Sequence, residues 1–157
     1  MKTLRYGVIG CGFWSRFQIA AWQEVGGVEL VGLYNRTRDK AVRLAEEFGG
    51  RVYDTARDLL ASGSLDFVDI ITNVETHAAY TMMAARHKVP VICQKPMAPS
   101  RAACRHMVAA CARAGVPLFI HDNWRWQAPV RAVHAALRQG VIGRPFRARI
   151  TYANSFP

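Results

Sequence analysis

The sequence predicts an α/β fold: a Rossmann-type, doubly wound parallel sheet, followed by one helix and one strand of an incomplete α+β domain. Two observations predict the sheet. Short apolar runs alternate with helical patterns as far as about residue 122, which is the order of a parallel sheet with right-handed crossovers. The first apolar run also leads directly into a glycine-rich turn that opens a helix, as the Rossmann fold requires.

The first half of the chain supplies three strands and three helices. An apolar run over Leu4–Ile9 predicts a buried parallel strand, and a helix over about 13–24 follows it, ended by two glycines. The second strand is Val28–Tyr34, and the helix after it ends at Gly49. The apolar residues of that helix recur at helical spacing, at Ala41, Leu44, Ala45 and Phe48. A weak strand over 51–53 and a short helix over 56–60 come next.

The second half supplies three more strands, over residues 66–71, 90–93 and 116–120. A helix is predicted over 76–87, between the first two of these strands. Ser100 is expected to cap the next helix, which Gly115 ends. The apolar face of that helix is predicted to consist of Cys104, Met107, Val108 and Cys111.

The pattern changes after residue 125. Pro129 opens a helix that Gly140 ends, and its apolar face is Val130, Val133, His134 and Leu137. Residues 146–152 alternate between apolar and polar, which predicts a strand with one buried and one solvated face. One strand cannot form a sheet by itself. We therefore predict a Rossmann domain over residues 1–125. Residues 126–157 are predicted to be the first helix and strand of a truncated C-terminal β-sheet domain. The chain would then be a fragment, a truncated gene product or half of a split protein.

Charge is distributed unevenly along the chain. Residues 1–75 hold nine Lys/Arg and ten Asp/Glu, whereas residues 76–157 hold twelve Lys/Arg and one acid, Asp122. The alternatives are a solvated basic face, an anionic ligand, an acidic partner surface and nucleic acid. Because the basic residues stand singly, we expect no nucleic-acid partner. Without an apolar run of membrane-spanning length or a signal-like N-terminus, we expect no membrane association and a cytoplasmic location.

The cysteines predict no metal site. They are Cys11, Cys93, Cys104 and Cys111. None forms a Cys-x-x-Cys pair and no histidine follows at finger spacing. In a reducing compartment we expect four free thiols that pack as small apolar side chains.

The turn Gly10-Cys11-Gly12-Phe13-Trp14-Ser15 matches the G-x-G-x-x-G dinucleotide motif at two glycines, with serine at the third. Gly10 permits the tight turn, and Gly12 allows a pyrophosphate to approach the backbone at a helix N-terminus, which favours anions. We expect Gly10, Gly12, Phe13 and Trp14 to contact the cofactor. The alternative is an ordinary strand–helix turn.

The end of the second strand predicts which dinucleotide binds. An acidic residue at this point would hold the ribose 2′-hydroxyl of NAD, but the segment here is Asn35-Arg36-Thr37-Arg38. Guanidinium groups suit a 2′-phosphate, so NADP is favoured over NAD. The alternative is that these arginines only begin a solvated helix. The missing acid also argues against a methyl transferase.

Polar segments follow the fourth, fifth and sixth strands, at the edge where ligands of open α/β sheets bind. They include Thr72, Asn73 and His77, then Gln94 and Lys95, then Asn123 and Arg125. Lys95 is the candidate catalytic residue, because a lysine at this edge can assist proton transfer at a substrate hydroxyl. The alternative is a solvated lysine.

These segments resemble the Gfo/Idh/MocA oxidoreductases, named for glucose–fructose oxidoreductase and inositol dehydrogenase. Residues 7–12 are similar to the opening of that family. Gln94-Lys95-Pro96 resembles its Glu-Lys-Pro motif, with glutamine replacing glutamate, and residues 123–129 resemble its Asn-x-Arg-aromatic-x-Pro crossover between domains. Thr72 and His77 fit its Thr-Pro-Asn-x-x-His segment, in which Asn73 and Val74 replace the proline and the asparagine.

The resemblance implies that Lys95 lies near the nicotinamide and the substrate. It also implies cofactor contacts from Thr72, Asn73, His77, Gln94, Asn123 and Arg125. For His77 the alternative is a histidine that only packs a helix.

The function implied is that of an NAD(P)-dependent oxidoreductase acting on a hydroxyl or carbonyl carbon of a sugar or polyol. Members of the family carry a large antiparallel β-sheet domain that supplies much of the substrate pocket, an Asp/His pair and the usual oligomer interface. At this length we expect an incomplete catalyst whose partners are the nucleotide, a small-molecule substrate, and a missing second domain or a second copy. The alternatives are a non-catalytic dinucleotide-binding module or sensor and a basic nucleic-acid binder.

Overall fold

The computed structural model describes residues 2–151 and 153. Its strands are β1 (Leu4–Ile9), β2 (Val28–Tyr34), β3 (Arg51–Val52), β4 (Phe67–Ile70), β5 (Val91–Gln94) and β6 (Leu118–His121). Its helices are α1 (Phe13–Val25), α2 (Arg38–Phe48), α3 (Ala56–Ala61), α4 (Val74–Arg86), α5 (Arg101–Ala114) and α6 (Ala128–Arg138), with a 3-10 turn at Trp124–Trp126. The predicted alternation of strand and helix is confirmed, and element ends differ from the prediction by one to two residues.

The six strands form one parallel sheet in the order β3-β2-β1-β4-β5-β6. The order reverses at β1, where Ile9 pairs with Tyr34 of β2 on one side and with Ile70 of β4 on the other. This confirms the predicted doubly wound Rossmann fold. A sheet of this kind opens a crevice at the carboxyl ends of its strands, next to the point of reversal.

Each face of the sheet carries its own apolar core. On one face, Val8 and Leu33 pack with Ile19 of α1 and the buried side of α2. On the other face, Ile70 packs with residues of α3, α4 and α5, among them Met107. Because both faces are covered, the central strands β1 and β4 are almost wholly apolar, as in other parallel sheets.

The predicted apolar face of α5 is corrected at one position. Met107 and Cys111 are buried, whereas the side chain of Val108 is 55% exposed. Successive helical residues are about 100° apart. The helix contacts its core through the side that carries Met107 and Cys111, so Val108 lies at the margin of that side and faces solvent.

The contacts divide the chain into Met1–His121 and Asp122–Pro157. In the second unit the predicted helix is confirmed as α6, with Pro129 in its first turn. The predicted strand over 146–152 is wrong for residues 146–151, which form no strand; Tyr152 lies outside the described residues. A strand exists only where a neighbour accepts and donates its backbone hydrogen bonds, and within its described residues this unit offers no such neighbour. None of the described helices is long and apolar enough to span a membrane.

Candidate functional site

A cleft of about 360 Å³ lies at the carboxyl ends of β1, β2 and β4. Nine of the residues predicted to bind a cofactor line it: Gly10, Gly12, Phe13, Trp14, Asn35, Arg36, Thr37, Thr72 and Asn73. Three separate segments of the sequence therefore meet where the strand order reverses, as the position of a ligand site in this type of sheet requires.

The two glycines of the turn serve different purposes. Gly10 has a φ of +104°, and a Cβ there would lie 2.7 Å from the carbonyl carbon of Ile71. Both the backbone conformation and the close approach of β4 therefore require glycine. A Cβ on Gly12 would meet nothing within 4 Å. Gly12 therefore leaves the space over the start of α1 open.

The first turn of α1 is open to an anion. Among the described residues no side chain caps it, and its sequence contains no acid. The Ser15 N–H donates to the Gly12 carbonyl at 3.3 Å. The N–H groups of Phe13 and Trp14, which precede it, stand at the positive end of the helix dipole. Ser15, at the third glycine position, is buried and its hydroxyl donates to the Gly12 carbonyl, so a serine is accommodated there without entering the cleft.

Asn35 joins the glycine turn to the loop after β2. Its side-chain oxygen accepts from the Cys11 N–H at 2.9 Å, and its amide nitrogen donates to the Thr37 carbonyl at 2.9 Å. The two walls of the cleft are thereby held together by one side chain. Asn35 was predicted as a cofactor contact, and the structure adds this bracing role.

The basic residues beside this loop fall into two groups. Arg36 and Lys40 line the cleft, and neither forms an ion pair with another described residue. Arg38, also predicted as a cofactor contact, does not line the cleft; its Nε lies 3.0 Å from Asp54 Oδ1 on an exposed surface. The cleft therefore presents two cations that are available to an anionic ligand.

Five further residues line the cleft that were not predicted from the sequence, namely Tyr34, Lys40, Ile71, Thr76 and Tyr80. Two of them, Thr76 and Tyr80, follow Asn73 at i+3 and i+7, so helical spacing from Asn73 identifies them. The Thr76 hydroxyl lies 2.8 Å from the Thr72 hydroxyl, and the Tyr80 ring meets Tyr34 edge-on at 6.2 Å. Burial, and then the neighbouring Tyr34 hydroxyl, raise the pKa of Tyr80, so it remains a neutral hydrogen-bonding group.

The loop after β5 presents Lys95 to solvent and is held from one side of the sheet by His77. Lys95 is exposed, and His77 is buried with each ring nitrogen facing a carbonyl: Nδ1 lies 3.0 Å from the Pro96 carbonyl and Nε2 lies 3.1 Å from the Thr72 carbonyl. A neutral imidazole carries one N–H and donates to one of these carbonyls at a time. His77 thus lies between the ends of β4 and β5. Its predicted cofactor contact stays a prediction.

A buried row of polar side chains reaches the same loop from the other face of the sheet. Gln94 Oε1 accepts from the Lys95 N–H at 2.8 Å, and Gln94 Nε2 donates to Gln18 Oε1 at 3.0 Å. Gln18 Nε2 donates to Asp69 Oδ2 at 2.6 Å, and Trp22 Nε1 donates to the same oxygen at 2.8 Å. Burial raises the pKa of Asp69 to about 6. Sequence reasoning named only Gln94 of this row.

The last two predicted contacts, Asn123 and Arg125, belong to the unit Asp122–Pro157. Asn123 precedes the 3-10 turn, and the Arg125 guanidinium lies 5.0 Å from the centre of the Trp126 ring. Their contacts with a cofactor stay predictions.

A family model described as an oxidoreductase family with an NAD-binding Rossmann fold matches residues 4–121. The chain belongs to the Gfo/Idh/MocA family. D-apiose dehydrogenase of Rhizobium rhizogenes is 43% identical over 157 residues, which are 99% of this chain and 46% of that protein. 1,5-anhydro-D-fructose reductase of Ensifer adhaerens is 33% identical, over 98% of this chain and 46% of that protein. The chain spans about half the length of these curated relatives.

Solved structures of the family agree with this fold. An oxidoreductase from Agrobacterium radiobacter, in complex with NAD+, L-tartaric acid and magnesium, is 44% identical with a TM-score of 0.87, covering 92% of this chain and 43% of that chain. The WlbA dehydrogenase from Bordetella pertussis, in complex with NADH and UDP-GlcNAcA, is 30% identical with a TM-score of 0.87, covering 91% and 42%. The predicted family and fold are both confirmed.

The cleft of this Gfo/Idh/MocA chain fits the dinucleotide of the family. The open space over Gly12 and the uncapped first turn of α1 suit a pyrophosphate. Arg36 and Lys40 suit further phosphate oxygens. The hydroxyls of Thr72 and Thr76 offer hydrogen bonds to the remainder of the nucleotide.

Proposed function

We propose that this chain is the cofactor-binding part of an NAD(P)-dependent oxidoreductase that acts on a hydroxyl or carbonyl carbon of a sugar or polyol. The observation that supports this most is the pair of glycines that seats an uncapped helix N-terminus at the cleft. The substrate class is supported by relatives named as apiose and inositol dehydrogenases. When bound, the dinucleotide supplies the group that accepts or donates hydride.

The chain's own contribution to the chemistry is the movement of a proton. Oxidation of an alcohol carbon requires the hydroxyl proton to leave, and Lys95 Nζ in its neutral form would accept it and return it in the opposite direction. Lys95 suits this task because it stands exposed at the ligand edge of the sheet, on a loop held from both faces. In a complete, active form of the enzyme, substitution Lys95→Ala should lower turnover strongly and leave nucleotide affinity almost unchanged.

NADP is the favoured cofactor. The end of β2 carries no acid to bind the ribose 2′-hydroxyl, and the cleft is lined by Arg36 and Lys40 with no ion pairs inside the described chain. NAD is the alternative, because the related oxidoreductase from Agrobacterium radiobacter was crystallised with NAD+.

Calorimetric titration of the chain with NADPH and NADH tests this preference. We expect tighter binding of NADPH, and Arg36→Ala should weaken NADPH by about tenfold, the effect of losing one charge-assisted hydrogen bond, with little change for NADH. Arg38→Ala is the matched control, since Arg38 already pairs with Asp54 and lies off the cleft. Equal affinities of the unchanged chain for the two nucleotides would refute the preference.

The second unit is proposed to be the start of a further domain. Relatives continue well beyond the matched region, since this chain covers 46% of their length. We therefore assign residues 126–157 to the start of a C-terminal β-sheet domain, with α6 as its first helix. Turnover of NADP+ with a panel of sugars and polyols, which would donate the hydride, separates an enzyme from the alternative, a non-catalytic nucleotide-binding module.

A further inference from the structure

Asp69 is the buried carboxyl of the sheet. It lies within β4, its exposure is 0%, and every other residue of that strand is apolar. A carboxyl group in such a place is unfavourable unless hydrogen bonds replace its water. Trp22 and Gln18 both donate to Oδ2, while Oδ1 has no partner among the described residues. Apolar side chains would fill this space at less cost in free energy, so the stability of the sheet does not account for Asp69.

The hydrogen bonds that begin at Asp69 have a single direction. The backbone N–H of Lys95 can only donate, so Gln94 presents its oxygen to Lys95 and its nitrogen to Gln18. Gln18 must then present its oxygen to Gln94 and its nitrogen to Asp69. An amide has one donor end and one acceptor end, so the row needs a backbone donor at Lys95 and an acceptor at position 69.

The row ends at the residue that faces the ligand edge. From the opposite face of the sheet, His77 holds the carbonyl of the next residue, Pro96, at 3.0 Å. The peptide unit that carries Lys95 is therefore held from both faces, by a row from α1 and β4 on one side and by α4 on the other.

We propose that Asp69, Gln18 and Gln94 form a relay that fixes the backbone of Lys95, and that Asp69 is a positioning residue for the Lys95 side chain. This inference rests on the proposed function in one respect, the role of Lys95 in proton transfer. The relay itself is a property of the chain without nucleotide.

The first test is hydrogen exchange at the Lys95 amide in the full, 15N-labelled chain. Gln94→Met removes the acceptor of that amide and should raise its exchange rate by about tenfold, the effect of losing one hydrogen bond. Gln18→Met removes the side chain that orients Gln94 and should raise the exchange rate by a smaller factor. Thr81→Val is the matched control, because Thr81 is buried and polar but contacts the other core. Unchanged exchange at Lys95 in the folded variants would overturn the relay.

The second test follows the unchanged chain as the pH is varied and compares it with Asp69→Asn, a substitution that preserves the size of the side chain. The Lys95 amide shift should follow the protonation of Asp69 in the unchanged chain and lose this titration in Asp69→Asn. Around Asp69, burial raises the pKa of Tyr6 and raises that of Cys93 to about 12, so neither titrates in this range. Burial lowers the pKa of His121, which pairs with Gln94, and a histidine contribution would persist in Asp69→Asn. A flat Lys95 shift, or a titration in Asp69→Asn that equals the titration of the unchanged chain, would overturn the proposal.

Titration of the same samples with NADPH and with NADH separates the two claims. Relay signals at Lys95 without binding of either nucleotide would refute the proposed function and keep the relay. Binding of either nucleotide with no relay signal would refute the relay and keep the proposed function.

Discussion

Two regions at the carboxyl edge of the sheet, the cleft at β1 and β2 and the loop after β5, are held in place by different groups. At β1 and β2 the cleft depends mainly on backbone, namely two glycines, a helix N-terminus and a short loop, with Asn35 as the one side chain described here as bracing it. At β5 the loop of Lys95 depends on buried side chains, with Gln94 and Asp69 on one face and His77 on the other. The comparison indicates that the first region recognises a ligand that many proteins share, whereas the second region holds one reactive side chain in place.

The largest expected effect is that of Gly10→Ala. A Cβ at φ +104° is strained and would lie 2.7 Å from the backbone of Ile71, so we expect a loss of about 4 kcal/mol in the free energy of unfolding. Gly12→Ala is the matched control, because its Cβ meets no neighbour; its change should stay within about 0.5 kcal/mol. Urea denaturation measures both. Equal stability of the two variants would contradict the backbone account of this region.

The buried side chains at β5 and Asp69 should make the free energy of unfolding depend on pH. The pKa of Asp69 is raised from 3.8 to about 6, so the folded chain keeps a proton that the unfolded chain loses. Stability should therefore be highest at the acidic end, fall as pH rises from about 4 to about 6 by roughly 3 kcal/mol, and level off above that range.

Chemical denaturation of the unchanged chain and of Asp69→Asn across this pH range measures the free energy of unfolding. The difference between the two isolates the contribution of Asp69, because the variant retains all other carboxyl groups. Asp66 contributes the opposite slope at lower pH, since its bond from Lys2 lowers its pKa. The same pH slope in Asp69→Asn as in the unchanged chain would show that Asp69 is not its source.

A smaller effect is expected from Gln94→Glu, which restores the residue of the family motif. The new carboxylate would face Gln18 Oε1, now 3.0 Å from the Gln94 nitrogen, and should cost about 2 kcal/mol at pH 8. Combining it with Asp69→Asn should recover part of that loss, because Gln18 can then reverse and donate to the new carboxylate, while the amide introduced at position 69 donates to Gln18. The recovery is partial because the Trp22 N–H loses its acceptor at that position. Additive losses in the double variant, measured by urea denaturation, would contradict a directional relay.

The smallest effect concerns the second unit. Ending the chain at Gln127 should leave nucleotide affinity unchanged, since every residue lining the cleft precedes Asp122. The apolar side chains Phe146 and Ile150 are 97% and 92% exposed, so the full chain should self-associate through residues 144–152 and the shortened chain should not. Light scattering on both lengths checks this, with calorimetry alongside. Monomers at both lengths would refute the association, and lost affinity would refute the first expectation.

The sequence predicted the two regions unequally, for a physical reason. Gly10 and Gly12 stand next to the strand and helix they join, so local spacing alone identifies them. The relay joins Gln18 to Asp69 across 51 residues and Gln94 to Gln18 across 76, and no local pattern records such a pairing. Arg38 shows a related limit: its charge suggested a cofactor contact, but its engagement by Asp54 depends on how α2 and β3 come together.

The predicted strand over 146–152 failed for a third reason. Its alternating pattern describes a face that requires a neighbouring strand, and the described residues supply none. The prediction that Val108 lies on the buried face of α5 was wrong for a similar reason. Helical spacing shows which side of a helix is apolar, but it does not show how wide the buried part of that side is. Local signals therefore determined the elements and the glycine turn, while long-range pairing decided the rest.

The most direct test of the central claim is a calorimetric titration of NADPH into the unchanged chain and into Gly12→Ala, with thermal unfolding of both. We predict saturable binding to the unchanged chain and at least about tenfold weaker binding to the variant at the same melting temperature, because the new methyl group would occupy the open space over α1 without touching the protein. A folded, unchanged chain that binds no dinucleotide, or a Gly12→Ala variant that binds it equally well, would contradict the account.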